Sequence, residues 1–207
     1  IKGKEGALLR IKETLNRSTD RYLIGIVGKP GAGKSTLSAY LLEELHSSEV
    51  TVVPMDGYHL SNAVLQALGR ADRKGAPDTF DVAGFASLLQ RIRNEKSVDV
   101  YYPVFDRSIE ESIAAQGVVT KETKVVIVEG NYLLHDSGGW EVIAELLDEL
   151  WFIDVDDEKR LERLIARHIA YGKSPADAQS WSRGSDEVNA RTIATGRSRA
   201  HAVIALD

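Results

Sequence analysis

Eight residues constrain this chain more than any others: Gly28-Lys-Pro-Gly-Ala-Gly33-Lys34-Ser35. They fit the pattern G-x-x-x-x-G-K-[ST], and their neighbours supply the context that pattern needs. Tyr22-Leu-Ile-Gly-Ile-Val27, just before them, is apolar on both faces, as a strand covered on both sides of a parallel sheet must be. Leu37 to Leu45, just after them, reads as a helix. A glycine-rich turn from strand to helix points backbone N–H groups inward, and the helix start adds partial positive charge, so the loop is an anion cradle. Lys34 adds a full charge for the β- and γ-phosphates, and Ser35 offers a hydroxyl to Mg²⁺. Pro30 has no N–H and donates nothing. We therefore expect residues Gly28, Lys29, Pro30, Gly31, Ala32, Gly33, Lys34, Ser35 and Thr36 to hold a nucleoside triphosphate.

The rest of the chain alternates strand and helix, which predicts an α/β sheet with helices on both faces. Ala7, Leu8, Ile11 and Leu15 mark a leading amphipathic helix. Short strands are expected at Val50–Val53, Val98–Tyr102, Lys124–Val128, Leu150–Val155 and Ala200–Ala205, with a short extra one at Val118-Val119. Helices are expected over Asp81–Arg93 and Trp140–Leu147, and from Asp156, as N-cap, to about Tyr171, where Gly172 stops it. Ser174-Pro175 opens another helix. At 207 residues this is a single domain, 1–207, with a lid-like segment around 157–184.

Composition narrows the function classes. Lys and Arg number 26 against 31 Asp and Glu, a net charge of −5, so the long-range field is wrong for non-specific nucleic-acid or anionic-membrane binding. With no cysteine, disulfides, thiolate chemistry and Cys-ligated zinc are excluded. No stretch approaches the roughly 20 apolar residues of a membrane span. We expect a cytoplasmic chain with a small-molecule partner; a homodimer stays open.

The phosphate loop does not separate a kinase from a GTPase or a motor ATPase. No N-K-x-D guanine reader is present, and Asp136-Ser-Gly-Gly139 reads better as a loop than as D-x-x-G. Val125-Val-Ile-Val-Glu129 ends an apolar strand on an acid, in the crevice where open α/β sheets bind ligands, so Glu129 joins Ser35 as a candidate for the metal. Asp56, after the second strand, would suit an acceptor for the proton of an attacking hydroxyl; from local sequence alone it reads rather as a turn residue before Gly57.

Taken in order, Gly28–Ser35, Asp56-Gly-Tyr-His59, Arg73-Lys-Gly-Ala-Pro-Asp-Thr-Phe-Asp81, Glu129-Gly130 and an arginine-bearing late helix resemble the phosphoribulokinase/uridine kinase family, over about Tyr22 to Asp207. The pantothenate kinase-like superfamily includes it, and the bacterial sugar kinases of the fructose transport system type look most similar. The resemblance implies a three-layer α/β/α P-loop NTPase fold with a parallel sheet of order 2-3-1-4-5. It also implies transfer of the γ-phosphoryl of ATP, with Mg²⁺, to an acceptor hydroxyl, a sugar being favoured over a nucleoside or pantothenate. Against that stands a regulatory ATPase, which would need no acceptor-site carboxylate.

The resemblance places Asp56 as the catalytic carboxylate, working with Lys34 and Arg167. Acceptor-pocket candidates are Asp56, Tyr58, His59, Arg73, Lys74, Tyr102, Phe105 and Arg107. The aromatics read equally as core, Arg73-Lys74 as a solvated pair, and Asp106-Arg107 as a local ion pair. Asp78 or Thr79 would cap the next helix. Arg160, Arg163 and Arg167 lie on one stripe of the late helix; Arg163 and Arg167 are the lid candidates, Arg160 a surface partner of Asp156, and His168 a packed residue. Asn189, Arg191 and Arg197 fall where the family's C-terminal segment passes the adenine.

Overall fold

The computed structural model describes residues 1–18 and 20–206. In chain order its elements are α1 (Gly3–Arg17), β1 (Tyr22–Val27), α2 (Lys34–Leu45), β2 (Val50–Pro54), α3 (Asn62–Ala67), α4 (Val82–Asn94), β3 (Val100–Asp106), β4 (Glu111–Val119), β5 (Val125–Gly130), α5 (Glu141–Glu145), β6 (Glu149–Asp154), α6 (Asp157–Ala170), α7 (Pro175–Arg183), α8 (Ser185–Ala194) and β7 (Ala202–Ala205). Five strands make one parallel sheet in the order β2-β5-β1-β6-β7. Its layering follows from the period of two along each strand. Ile24, Ile26, Val125 and Ile127 face Ala7, Ile11, Leu37 and Leu41 of α1 and α2. Leu23, Val27, Val126 and Val128 face Phe85, Leu89, Ile143 and Ile193 of α4, α5 and α8.

Counted along the sheet strands alone, this is the expected 2-3-1-4-5; it differs in chain-wide numbering because β3 and β4 leave the sheet and pair antiparallel with each other. The sequence reading missed that hairpin. The strand expected to end at Tyr102 runs on to Asp106, and the two-residue strand at Val118-Val119 is the end of a nine-residue one. A mostly exposed β4 carries little of the apolar signal by which buried strands announce themselves. Two other expectations are corrected. The cap of α4 is Asp81, which accepts from the Gly84 N–H, while the Thr79 hydroxyl serves Gly75 and Ala76 within its own turn. The helix expected over Trp140–Leu147 is only five residues, Glu141–Glu145. No helix among the described residues is long and apolar enough to cross a membrane.

Arg160 overturns its expected place most sharply. Asp156 spends its carboxylate capping α6, accepting from the N–H groups of Glu158 and Lys159. Arg160 is fully buried. Its guanidinium donates to Asp157 at 2.9 Å, to Glu187 of α8 at 2.5 Å and to the Pro30 carbonyl at 3.3 Å. Asp157 also accepts from Lys29 at 2.6 Å. One cation therefore ties the phosphate loop to α6 and α8.

Replacing Arg160 by Met keeps the stem and removes the fork. Asp157 and Glu187 keep some access to water, so the loss stays below that of stranding fully buried charges; we expect about 2–3 kcal/mol, read from urea unfolding. Arg160→Lys should recover little, because an ammonium cannot reproduce the three-way fork.

Candidate active site

The phosphate loop leaves β1 at Gly28 and enters α2 at Lys34. Gly31 and Gly33 sit at φ +82° and +94°, which glycine adopts without a Cβ penalty. Gly31 is doubly constrained, since a Cβ there would lie 2.5 Å from the Arg160 carbonyl oxygen. No side chain caps α2, so its first N–H groups are left for a ligand. The Lys34 ammonium donates to the carbonyls of Gly28 at 2.7 Å and Lys29 at 3.3 Å. Burial pushes its pKa down to about 8, against the pull of Asp56 and Glu129.

Glu129 stands at the C-terminal end of β5, one sheet position from the loop. The hydroxyls of Ser35 and Ser38 donate to its two carboxylate oxygens at 3.0 and 2.9 Å. Burial pushes the Glu129 pKa up, and these two bonds together with Lys34 oppose it. Ser38 was not foreseen, although it lies three residues after Ser35 on the same face of α2. The Ser35–Glu129 pair supplies the hard oxygen donors that Mg²⁺ prefers, so the residues present fit that ion. Among the described residues no cluster of three or more His, Cys, Asp or Glu could form a protein-only metal cage.

Asp56 lies in the 3-10 turn Met55–Tyr58 that follows β2. The turn packs under the β3–β4 hairpin so closely that a Cβ on Gly57 would fall 2.0 Å from the Pro103 carbonyl oxygen. This approach brings Arg107, just past β3, onto Asp56, where Nη2 donates to Oδ2 at 2.9 Å. Asp106 instead takes the N–H and hydroxyl of Ser108, so the expected Asp106–Arg107 pair does not form.

Two cavities meet at Asp56. The first, of about 720 Å³, is lined by Pro30, Gly31, Gly33, Lys34, Ser35, Thr36, Glu129, Arg163 and Arg167. The second, of about 390 Å³, is lined by His59, Lys74, Phe105 and residues of α6, α7 and α8. Pro30, Asp56, Arg107, Asn131, Arg167 and Tyr171 line both. The surrounding protein desolvates Arg167 and Arg107 repels it, which pushes its pKa down though it stays charged. Burial also pushes the His59 pKa down, while its Nδ1 lies 2.8 Å from the Asp56 carbonyl oxygen.

Several expected residues lie elsewhere. Gly28, Lys29 and Ala32 shape the loop without lining either cavity. Tyr58 packs on Phe85 with ring centroids 5.2 Å apart, and the buried Tyr102 donates its hydroxyl to Val52. Both read as core because their rings close the base of the hairpin. Arg73 pairs with Asp78 at 2.8 Å on the surface. Asn189, expected near an adenine, lines the second cavity, while Arg191 is exposed and Arg197 pairs with Asp154. His168 also lines that cavity, 2.7 Å from Asp186. The sequence reading missed Asn62, Glu110, Asn131, Tyr171, Lys173, Trp181 and Asp186 there, and Lys4 and Leu206 in the larger cavity. Only Asn131 carried a signal, by following the Glu129-Gly130 strand end.

Gly57→Ala should force the hairpin away from the turn and part Arg107 from Asp56. A displaced backbone carbonyl puts the cost at the upper end of overpacking, about 3 kcal/mol. Thermal unfolding together with a crystal structure of the variant checks both effects.

The model of the Phosphoribulokinase / Uridine kinase family matches residues 23–205. "Putative uridine kinase C227.14" of Schizosaccharomyces pombe is 34% identical over 169 residues, 76% of this chain and 71% of that protein. Uncharacterized protein YggC of Escherichia coli K12 is 31% identical over 201 residues, 95% of this chain and 82% of that one. A crystal structure from Silicibacter sp. TM1040, described as a "putative fructose transport system kinase", superposes with a TM-score of 0.86 at 36% identity, over 97% of this chain and 98% of its own. A phosphate loop that shares a cavity with the carboxylates of Asp56 and Glu129, a match along nearly the whole chain and kinase-named neighbours converge on one assignment: this chain belongs to the phosphoribulokinase/uridine kinase family and is an ATP-dependent phosphotransferase of P-loop kinase fold.

Proposed function

We propose that the chain transfers the γ-phosphoryl group of ATP to a hydroxyl of a small polyhydroxylated acceptor, of which a fructose-like sugar is the type. The observation that carries this reading is the position of Asp56, whose carboxylate lines both the phosphate cavity and the adjoining smaller one. The smaller cavity mixes amide, carboxylate and cationic groups with the rings of Phe105 and Trp181, which suits a ligand made mostly of hydroxyls.

In this reading Asp56 accepts the acceptor's proton as its oxygen attacks the γ-phosphorus and ADP departs. Arg107 occupies Oδ2 and leaves Oδ1 without a partner among the described residues. Lys34 and the loop N–H groups hold the β- and γ-oxygens. Ser35 and Glu129 would hold Mg²⁺, which neutralises charge on those oxygens when bound. Arg163 and Arg167 project from α6 into the phosphate cavity, so the segment 157–184 acts as the lid, and Arg167 meets the transferring group. Phosphoryl transfer asks the protein mainly for position and charge, and each of these residues supplies one or the other.

ADP release with Mg²⁺-ATP across sugars, polyols, nucleosides and pantothenate tests the proposal. One acceptor should raise the rate by orders of magnitude, and Asp56→Asn should lower kcat by about 10²–10⁴ with ATP binding retained. Acceptor-independent turnover untouched by Asp56→Asn would favour a regulatory ATPase. The same preparation gives a pH test. Phosphate binding favours the charged ammonium of Lys34, which below about pH 8 the free protein already carries. Above that the protein must take up a proton to bind, so ATP affinity should be flat below pH 8 and fall by up to about tenfold per unit above it. In Lys34→Arg, calorimetry should find weaker binding without that break, because the guanidinium keeps its charge.

A further inference from the structure

We propose that the acceptor carries an anionic group, a carboxylate or a phosphate, and that Lys74 receives it; this rests on the phosphotransfer reading above. Lys74 lines the acceptor cavity with its side chain only 16% exposed. Its ammonium donates to the Asn62 amide oxygen at 2.7 Å and to the Glu110 carbonyl oxygen at 2.5 Å. Both partners are neutral, and an ammonium has three protons to donate. The nearest carboxylate, Glu110, stays 4.0 Å away on a side chain 55% exposed to solvent. A half-buried ammonium held by two neutral oxygens, by the Phe105 ring 5.2 Å away and by one exposed carboxylate at 4.0 Å is only partly compensated, and a negative charge brought into the cavity would complete it.

The remaining charges of the cavity do not bring one. Asp56 is engaged by Arg107 and Asp186 by His168. Lys173 adds a further cation, lying 4.5 Å above the Trp181 ring, and Arg167 another from the lid. Four cations, Lys74, Arg107, Arg167 and Lys173, thus face three carboxylates, Asp56, Glu110 and Asp186, an excess of one positive charge. A neutral sugar or nucleoside would leave that excess in place, whereas a sugar acid or sugar phosphate would complete it. A purely structural lysine, clamping α3 to the hairpin turn, would need only the two bonds already made.

The test compares acceptors matched in skeleton: gluconate against sorbitol, glycerate against glycerol, and fructose 6-phosphate against fructose. The readout is the ratio of kcat/KM, anionic over neutral, from acceptor-dependent ADP release. At least one pair should favour the anion by about 10–100-fold, the span of a charge-assisted hydrogen bond, and the favoured pair tells carboxylate from phosphate. Lys74→Met should bring that ratio towards one, mainly through KM, and Lys74→Arg should restore part of it. Asn62→Asp, which places a carboxylate on Lys74 without deleting it, should act as Lys74→Met does and serves if the methionine variant folds poorly. Ratios at or below one in every pair, or a ratio that neither variant changes, would overturn the proposal while leaving the kinase reading intact. Should no acceptor accelerate ADP release, the transfer reading fails on its own. Calorimetry with gluconate and fructose 6-phosphate then judges the subsite, and absent binding, or binding indifferent to Lys74→Met, overturns it.

Discussion

The guanidinium of Arg160 on the Pro30 carbonyl is the contact through which the phosphate loop is located in the molecule. Proline contributes no N–H to the loop's anion cradle, and its carbonyl is turned outward to a buried cation instead. That cation is compensated by Asp157 on its own helix and Glu187 on α8. Buried ion pairs of this kind add little net stability, since desolvation offsets most of their attraction, but they tolerate little displacement. Their effect here is geometric. The helices that bring Arg163 and Arg167 to the larger cavity, and Asp186 and Asn189 to the smaller one, are registered against the loop through Arg160, with the Lys29–Asp157 pair beside it.

The two cavities concentrate charge in a chain whose overall balance is acidic. Lys34, Arg107, Arg163 and Arg167 line the larger cavity with Asp56 and Glu129 among them. Desolvation drives the two signs in opposite directions: the Lys34 pKa falls to about 8 and that of Glu129 rises. Both shifts mark groups held in a charge state that their surroundings disfavour. A negative charge nearby would relieve the first and a positive one the second. A net charge of −5 describes the long-range field and says nothing about such a local arrangement.

What the sequence disclosed was the local part. The alternation of Leu23, Gly25 and Val27 against Ile24 and Ile26 marks a strand buried on both faces, and the glycines after it mark the loop. Asp156 and Ser174 cap their helices as their positions suggest. The errors lie where a residue's fate depends on a distant element. Arg160 sits three residues from Arg163 and seven from Arg167, and helical spacing alone treats them alike. Only the arrival of Glu187 and Pro30 buries the first, while the other two stay in the cleft. Tyr58 and Tyr102 look like sugar-binding aromatics until the hairpin folds over the turn and takes them into the core.

The same reasoning explains why the phosphate grip was legible and the acceptor pocket was not. The grip lies on one continuous segment, 28–36, whose geometry is set by its own glycines and by the helix it starts. The smaller cavity is assembled mainly from the turn and helix around 56–62, the loop of 71–80, the hairpin tip at 105–110 and the helices of 167–189, with Pro30 and Asn131 added from two further loops. No spacing rule relates Asn62 to Lys74, Glu110 or Asn189, since each comes from a different element: the start of α3, a loop, the hairpin tip and α8. A pocket made this way can change its lining one loop at a time without disturbing the loop that holds phosphate. Neighbours named for uridine and for fructose transport beside one fold are what such a construction leads one to expect. The acceptor is therefore to be read from the charge and hydrogen-bonding state of the pocket wall, where the one carboxylate near Lys74 is the exposed Glu110 at 4.0 Å, and not from the motif that announces the kinase.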